Sequence, residues 1–460
     1  MAGGSILSAC AAGAKAAPQA QAGVIQLRFQ ANNQGVPWNA STISLYQQFV
    51  DENFNALPQY KGLHATVDTN QWGNASGQIA DVLAGTGYDD VVMVCCNDVP
   101  TLMNKGFLSP LTPLLQRDNI STTIWNQGHL AADSYNGTVY GMPAYDGTTV
   151  VFYRQDILDQ MGLAYPDPTW NYQQAQQIWT SSTGKKKGSS AHQYGVSLYW
   201  SAAYEQMNWW YHGWGASPMS ADRTRATMFS TQGVACVNYA INMVQHQIAT
   251  NRSDIPSLAA GDFVFEMGHS DHLFPAAELL GIRYKWDILP MPTWPVAKST
   301  FNTIDMYGLM KASKHQDPAW ELLKWIQLGA SKGGTYDYSW PKFQIKASLV
   351  TPSILSLWDY WETTVKQVAP VLATKSIQWY KDAAVNNYAY PGYYFANAPV
   401  TAAGIMSNWF GQIWAGKIPV EIGLQQMENQ INATESLEAA TAAQGSGATS
   451  LWPVAGAQLG

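Results

Sequence analysis

Residues 136–156 read NGTVYGMPAYDGTTVVFYRQD, and this stretch decides how the chain is divided. Asn136-Gly137 marks a tight turn, because both residue types tolerate positive φ. An extended segment, Val139-Tyr140-Gly141-Met142-Pro143, follows. Pro143 has no amide hydrogen to give to a ladder, so it belongs at a strand end or a crossing point. Gly147 beside Asp146 gives the backbone a place to swivel. The apolar run Thr149-Val150-Val151-Phe152-Tyr153 then begins a new strand, and a helix starts near Arg154. This is the pattern of a chain leaving one lobe and entering a second.

Upstream, Val24–Phe29 alternates as a strand, 41–55 has the 3.6-residue period of an amphipathic helix, and Leu63–Val67 alternates again. A short helix near Ile79–Leu83 leads to Val91-Val92-Met93-Val94, an unbroken apolar run of the kind buried on both faces of a parallel sheet. Strand, helix, strand, helix, strand at this spacing predicts a parallel α/β sheet. Downstream, Tyr194–Leu198 and 262–267 read as further strands, and Ile288-Leu289-Pro290-Met291-Pro292 closes one with a proline corner. Asp305–Met310 is extended and crosses between lobes again. The last third reads as helical up to Asn432, with a loose Ala/Gly/Ser/Thr tail beyond Glu438.

The bulk numbers set bounds. At 460 residues and 50.4 kDa the chain is long enough for two cores. Hydrophobic residues make up 47% and charged residues 12%, about half the usual charged share. The surface is therefore polar but sparsely charged. A net charge of −7 and a pI near 5.6 argue against nucleic acid as a partner. The 20 Trp and 24 Tyr are first of all core material, but they also stack on flat apolar faces and so suit a sugar cleft. Cys95, Cys96 and Cys236 read as small buried hydrophobes, and no Cys-x-x-Cys or His-rich cluster supports a metal site. His269 and His272 have ligand-like spacing, but their context is not helical. No stretch reaches about 18 apolar residues, so no transmembrane helix is expected.

Cys10 is different. It ends Leu7-Ser8-Ala9-Cys10 and precedes an Ala/Gln/Gly tract that reads as a flexible tether. This matches a lipobox, with Cys10 the lipidated residue, and a leader truncated at its start is expected. The membrane is then reached through that lipid anchor.

Several motifs occur in order: Asn136-Gly137-x-x-Tyr140-Gly141-x-Pro143, Phe152-Tyr153-Arg154-Gln155-Asp156-Ile157-Leu158 and Pro168-Thr169-Trp170. Then come Ala260-Gly261-Asp262-Phe263-Val264-Phe265-Glu266-Met267-Gly268, Leu289-Pro290-Met291-Pro292 and Asp317-Pro318-Ala319-Trp320. From about Val24 to Asn432 the chain resembles the extracellular solute-binding proteins of bacterial ABC importers, in the sugar-binding group that includes the maltose-binding proteins. The resemblance implies a two-lobed periplasmic-binding-protein-like α/β fold of type II, each lobe a mainly parallel sheet flanked by helices, joined by a multi-strand hinge. Lobe 1 is placed at 24–144 plus 310–348, and lobe 2 at 148–304 plus 352–435. The hinge crossings fall at 145–147, 305–309 and 349–351, the tether at 1–23 and the tail at 436–460.

Ligands of open α/β sheets sit beyond the carboxyl ends of the strands. The loops there supply the candidates. Asn33 and Trp38 follow the first strand, Trp72 the second, and Asn97 and Asp98 the buried third. Tyr145 and Asp146 lie at the first crossing, where a carboxylate can accept two sugar hydroxyls. Trp200, Tyr204 and Glu205 come from the aromatic-rich stretch of lobe 2, with Trp209 beside them. His269 and Asp271 follow a later strand, where the aromatic platform of many family members is missing. Asp305 and Tyr307 lie at the second crossing, and Tyr394 in a Pro-Gly-Tyr-Tyr loop. Each has a plainer use as a cap, turn or core residue.

None of these loops carries Arg, which an anionic ligand would want. A neutral sugar is therefore expected, bound without chemistry or cofactor. The protein is expected to be a monomer that hands its ligand to the permease subunits of an importer, outside the cytoplasm on the outer face of the membrane. Two alternatives stay open. One is a glycoside-active enzyme using paired carboxylates; the other is a receptor for a polyol or a glycerol phosphodiester.

Overall fold

A computed structural model of the chain describes residues 23–31, 37–69, 75–85, 87–95, 98–198, 207–250, 254–386, 389–391 and 394–445. The strands that organise it, in chain order, are β1 (Ile25–Phe29), β2 (Leu63–Val67), β3 (Val91–Val94) and β4 (Gly141–Pro143). They continue with β5 (Val150–Arg154), β6 (His192–Ser197), β7 (Ala249–Thr250), β8 (Phe263–Gly268) and β9 (Trp286–Leu289). β10 (Thr300–Asn302), β11 (Met306–Leu309) and β12 (Ala389–Pro391) complete the set. One large sheet has the order β2-β1-β3-β11-β4, the other β7-β6-β8-β5-β9, and β10 pairs with β12 in a small third sheet.

The two large sheets repeat one plan. β1 lies parallel to β2, from Ile25↔Leu63 to Phe29↔Val67, and parallel to β3 at Phe29↔Val91. β11 then runs antiparallel to β3 and β4. In the second sheet β6 is parallel to β7 and β8, while β5 is antiparallel to β8 and β9. Each sheet is parallel through three strands and antiparallel beyond them, so the expected parallel character belongs to one side of each. Connectivity explains the other side. β11 and β5 are the strands reached from across the gap, and they enter from the end where the parallel strands finish.

β3, β5 and β8 are buried at every residue, as strands covered by helices on both faces must be. The first helix, Ala40–Val50, starts at Asn39, whose side chain accepts from the Ser41 and Thr42 amides. It continues as a π-helical turn through Asn55 and buries Tyr46, Val50 and Phe54. Trp340 closes this core. Its ring lies 5.4 Å from Phe29, 5.6 Å from Tyr46 and 5.2 Å from Trp325. Among the described residues, eleven tryptophans rank as the largest fully buried side chains, so the Trp surplus goes mainly to packing, not to an exposed cleft.

Three passes of chain join the sheets: 144–149 between β4 and β5, 303–305 between β10 and β11, and the segment after the helix Ser339–Ser348. That helix ends on Leu349 at φ 56°, a left-handed conformation that costs a non-glycine residue energy. Burial of the leucine side chain and a bond from Trp361 Nε1 to the Leu349 carbonyl (2.9 Å) hold it there. The final helix runs Val420–Gly445, further than the expected end of order. The stretch ESLEAATAAQ is rich in good helix formers, and that outweighs its low-complexity look.

Candidate ligand-binding site

The crevice in each large sheet lies where the strand order diverges, between the carboxyl ends of β1 and β3 and between those of β6 and β8. Trp38 is half-buried and ties the segment after β1 to that after β2: its Nε1 donates to the Thr69 carbonyl at 3.1 Å. Its ring meets Tyr46 edge-on at 5.5 Å. Asp98 opens the helix Asp98–Asn104, and its amide donates to the Cys95 carbonyl at 3.1 Å. Cys95 is half-buried, not fully buried as expected, because β3 ends there and the sheet opens. Cys236 is buried. Past β8, His269 Nδ1 lies 3.0 Å from the half-buried carboxylate of Asp271. Asn33, Trp72, Asn97, Trp200, Tyr204 and Glu205 lie outside the described residues, as do Cys10 and Cys96.

The connecting segments hold the densest polar network. Tyr145 donates its hydroxyl to Asp305 Oδ2 at 2.7 Å, which joins the first pass to the second. Asp146 is fully buried, and its Oδ1 accepts from Asn302 Nδ2 at 3.0 Å and lies 3.0 Å from His129 Nδ1. The Asp146 amide donates to the Thr351 carbonyl at 3.3 Å, and the Thr351 hydroxyl donates back to the Asp146 carbonyl. Thr303 Oγ1 donates to the Tyr145 carbonyl at 3.1 Å and accepts from the Gly147 amide at 3.2 Å. Asp146 thus meets His129 and the end of β10 through its carboxylate and the third pass through its backbone. Gly147 is required here: a Cβ on it would lie 2.3 Å from His269 Nε2. The imidazole of the second lobe therefore packs directly on the swivel point.

Burial works against charge in this region, and partners decide the outcome. Burial pushes the Asp133 carboxyl up to about 8, against the pull of His129. Burial pulls the His129 imidazole down, but Asp133 and Asp146 outweigh it and hold it above its ordinary value. On the second lobe, burial raises Asp271 while His269 and His272 lower it, and the histidines win. His272 is raised to about 9 against burial by Glu266 and Asp271, with Glu266 Oε1 2.9 Å from its Nδ1. No group of three or more His, Cys, Asp or Glu among the described residues is arranged to hold a metal ion.

Tyr307 and Tyr394 are placed otherwise than a cleft wall would need. Tyr307 sits in β11 inside the first core, and Gln344 Nε2 donates to its hydroxyl at 3.3 Å. Tyr394 is buried in a second apolar cluster, which holds residues of both large sheets such as Val92 and Phe265. Trp209 is likewise core, in tilted ring contact with Trp210 and Trp294. For Tyr307 the reason is that β11 is a middle strand buried at all four residues, so both of its faces meet packed core. Sequence reasoning missed His129, Asp133, Asn302 and Thr351. The one available signal was a His and an Asp at i,i+4 spacing on a short helix just before the crossing. Half-buried Tyr390, which stacks on His212 at 4.2 Å and 15°, was missed too.

Two sheets with matching crevices, joined by three passes of chain, define a two-lobed solute-binding fold. The sequence matches the bacterial extracellular solute-binding protein family over residues 39–330, and the chain belongs to that family. The sugar-binding protein MalE of Xanthomonas citri superposes with a TM-score of 0.70 at 16% identity, covering 91% of this chain and 100% of that one. An ABC substrate-binding protein of Listeria monocytogenes, solved with cycloalternan, gives 0.68 at 16% identity, covering 89% and 99%. The arabinooligosaccharide-binding protein of Bacillus subtilis is 32% identical over 117 residues, 24% of this chain. That alignment spans about a quarter of the relative's length (25%). Among the described residues no helix is long and apolar enough to cross a membrane.

Proposed function

We propose that this protein is the capture component of an ABC importer and that its ligand is a neutral sugar or oligosaccharide. One observation carries the reading. The sequence segments 30–38, 68–74, 95–98, 144–149, 199–206, 268–271 and 392–394, which follow strands, contain no Lys or Arg, and the segment after β7, 251–253, carries one, Arg252. They are rich in Asn, Asp, Thr, Trp and Tyr, which bond hydroxyls and stack on sugar faces. The ligands of two similar proteins, arabino-oligosaccharide and cycloalternan, are of the same neutral class.

In this reading the residues that meet the ligand are Asn33, Trp38, Trp72, Asn97, Asp98, Trp200, Tyr204, Glu205, His269 and Asp271. Tyr145, Asp146 and Asp305 serve first as the join and meet the ligand only where rotation of the lobes uncovers them. Lobe 1 spans 24–144 and 310–348, lobe 2 spans 148–304 and 352–435, and the passes between act as the hinge. Binding closes the lobes, and the closed form meets the permease. Cys10 carries the lipid that holds a monomer to the outer face of the membrane. No bond of the ligand is broken.

The test is isothermal titration of the full chain with arabino-oligosaccharides, maltodextrins and glycerol phosphodiesters, with products followed by chromatography. Binding of a neutral oligosaccharide with no product formed is the expected result. At a hundred times its Kd such a ligand adds about 2.7 kcal/mol to stability. Saturable binding of a phosphodiester alone, or release of shortened sugars, overturns the reading.

A further inference from the structure

The helix Gln127–Ala132 brings one imidazole beneath two of the connecting passes. His129 is fully buried. Its Nε2 lies 3.1 Å from the Asp305 backbone carbonyl, and its Nδ1 lies 3.0 Å from Asp146 Oδ1. A carbonyl oxygen only accepts, so Nε2 carries a hydrogen. A neutral ring has one hydrogen, which leaves Nδ1 bare and facing a carboxylate oxygen that already accepts from Asn302. Two lone pairs do not stand 3.0 Å apart without a proton between them. The geometry thus counts a proton: one is shared by His129 and Asp146, whichever of the two atoms holds it.

Charge around the ring comes from several elements. Asp133 on the same helix puts Oδ2 3.5 Å from Nε2. Asp146 lies on the first pass, and Asp305, bonded to the Tyr145 hydroxyl, on the second. Arg223 reaches in from the second lobe and donates to the Ala132 and Ser134 carbonyls at 3.3 and 2.7 Å. His269, paired with Asp271, packs on Gly147 from the far side. The described segments packed most closely on the helix, 122–124, 134–135, 141–143 and 389–391, add only the phenols of Tyr135 and Tyr390. Acid outnumbers base, which is the setting in which a buried proton is kept.

We propose that His129 is a positioning residue that holds the first and second connecting passes together only while it shares a proton with Asp146, so that lobe movement is proton-linked. The raised His129 and Asp133 agree, since both make the folded join take protons from solution. The sign follows: a group raised in the folded state stabilises it fully below its unfolded value and loses that contribution as pH rises through the folded one. For an imidazole the window therefore lies above about 6.5. A movement that separates the first pass from the second breaks one of the two ring bonds, and it does so more readily once the proton has gone. The inference stands on the join alone and does not need the ligand to be a sugar.

The test uses the full chain without ligand. Hydrogen exchange of 144–149 and 303–305 is measured between pH 6 and 9.5, corrected for the intrinsic rates, beside the ring 13C resonances of the histidines. In the native chain, the resonance absent from His129→Gln is expected to titrate above 6.5. Opening of the two passes should rise toward tenfold per pH unit beyond that point. In Asp146→Asn the amide nitrogen supplies the hydrogen that Nδ1 needs, with the Asn302 amide flipped to turn its Oδ1 toward that nitrogen, so the pH dependence is expected to vanish. A His129 titration at or below 6.5, or the same exchange profile in the native chain and in Asp146→Asn, overturns the proposal. If that variant does not fold, the titration of the native chain decides alone.

Discussion

The ring cluster around Trp340 and the polar network around Asp146 are built from opposite materials. Around Trp340 the core is rings on rings, with Phe29, Tyr46, Phe49, Trp325 and Phe343 all within ring contact. Around Asp146 the buried groups are Asp, Asn, Thr and His, each tied by directed bonds. Apolar burial is non-directional and tolerates small shifts. A buried polar network is stable in one geometry and costly in others, because each unmade bond carries a desolvation penalty. The contrast explains how two rigid bodies are joined by something with preferred positions and no continuous slack.

The largest effect belongs to the core. Trp340→Ala removes a fully buried indole that five rings touch, and about 3–5 kcal/mol of stability is expected to go with it. Urea unfolding followed by circular dichroism measures it. A loss under about 1 kcal/mol would mean that the aromatic cluster is not what holds the first lobe.

Asp146→Ala is expected to be smaller, about 1–3 kcal/mol, from leaving His129 Nδ1 and Asn302 Nδ2 buried without their acceptor. Its signature is distributional. Exchange should quicken along 144–149, 303–305 and 351–353, while β3 and β8 stay protected. Uniform loosening of both sheets would show the join and the cores to be one unit, and the contrast would collapse.

Much of the fold was open to reading. β3 announced itself as four consecutive apolar residues, and Asn136-Gly137 with Pro143 placed the crossing. The antiparallel partners were not open, because pairing direction depends on which end of a sheet the chain re-enters, and local pattern does not record that. At the join, Tyr145 and Asp146 were found by their neighbours in sequence. His129 was not, since it lies on another element 17 residues away and only tertiary contact gives it meaning. Tyr307 shows the converse: nearness to Asp305 in sequence suggested a shared role, but Asp305 lies on the connecting pass while Tyr307 lies within β11, a middle strand buried at all four residues.

A third prediction sets the two regions apart by pH. The join carries groups raised in the folded state, His129 and Asp133, the latter to about 8. The His129 contribution is fully present below about 6.5 and lost as pH rises through its folded value, while that of Asp133 begins to be lost above about 4 and is gone beyond about 8, so stability falls between pH 6 and pH 9. The core around Trp340 carries no carboxylate or imidazole among its ring partners and is expected to be flat over that range. Melting temperatures of the native chain and of Trp340→Phe at pH 6 and pH 9 should therefore fall in parallel. A pH dependence that changes with Trp340→Phe would tie the core to the proton.

The smallest effect marks the floor of the scale. Lys366 and Glu362 form an i,i+4 pair on the helix Trp358–Val368, with Lys366 Nζ 2.6 Å from Glu362 Oε1. Both ends are substantially exposed, so water competes for each charge and salt screens the rest. Lys366→Ala is expected to change stability by less than about 0.5 kcal/mol, with the difference shrinking further in 0.5 M salt. The bond is shorter than either contact of the Asp146 carboxylate in the buried join, yet it contributes less. What separates them is solvent: on the surface the broken pair is rehydrated at once, whereas beneath the connecting passes nothing replaces a lost partner. An exposed pair that cost as much as Asp146→Ala would show that bond length, not burial, sets the energetics of this protein.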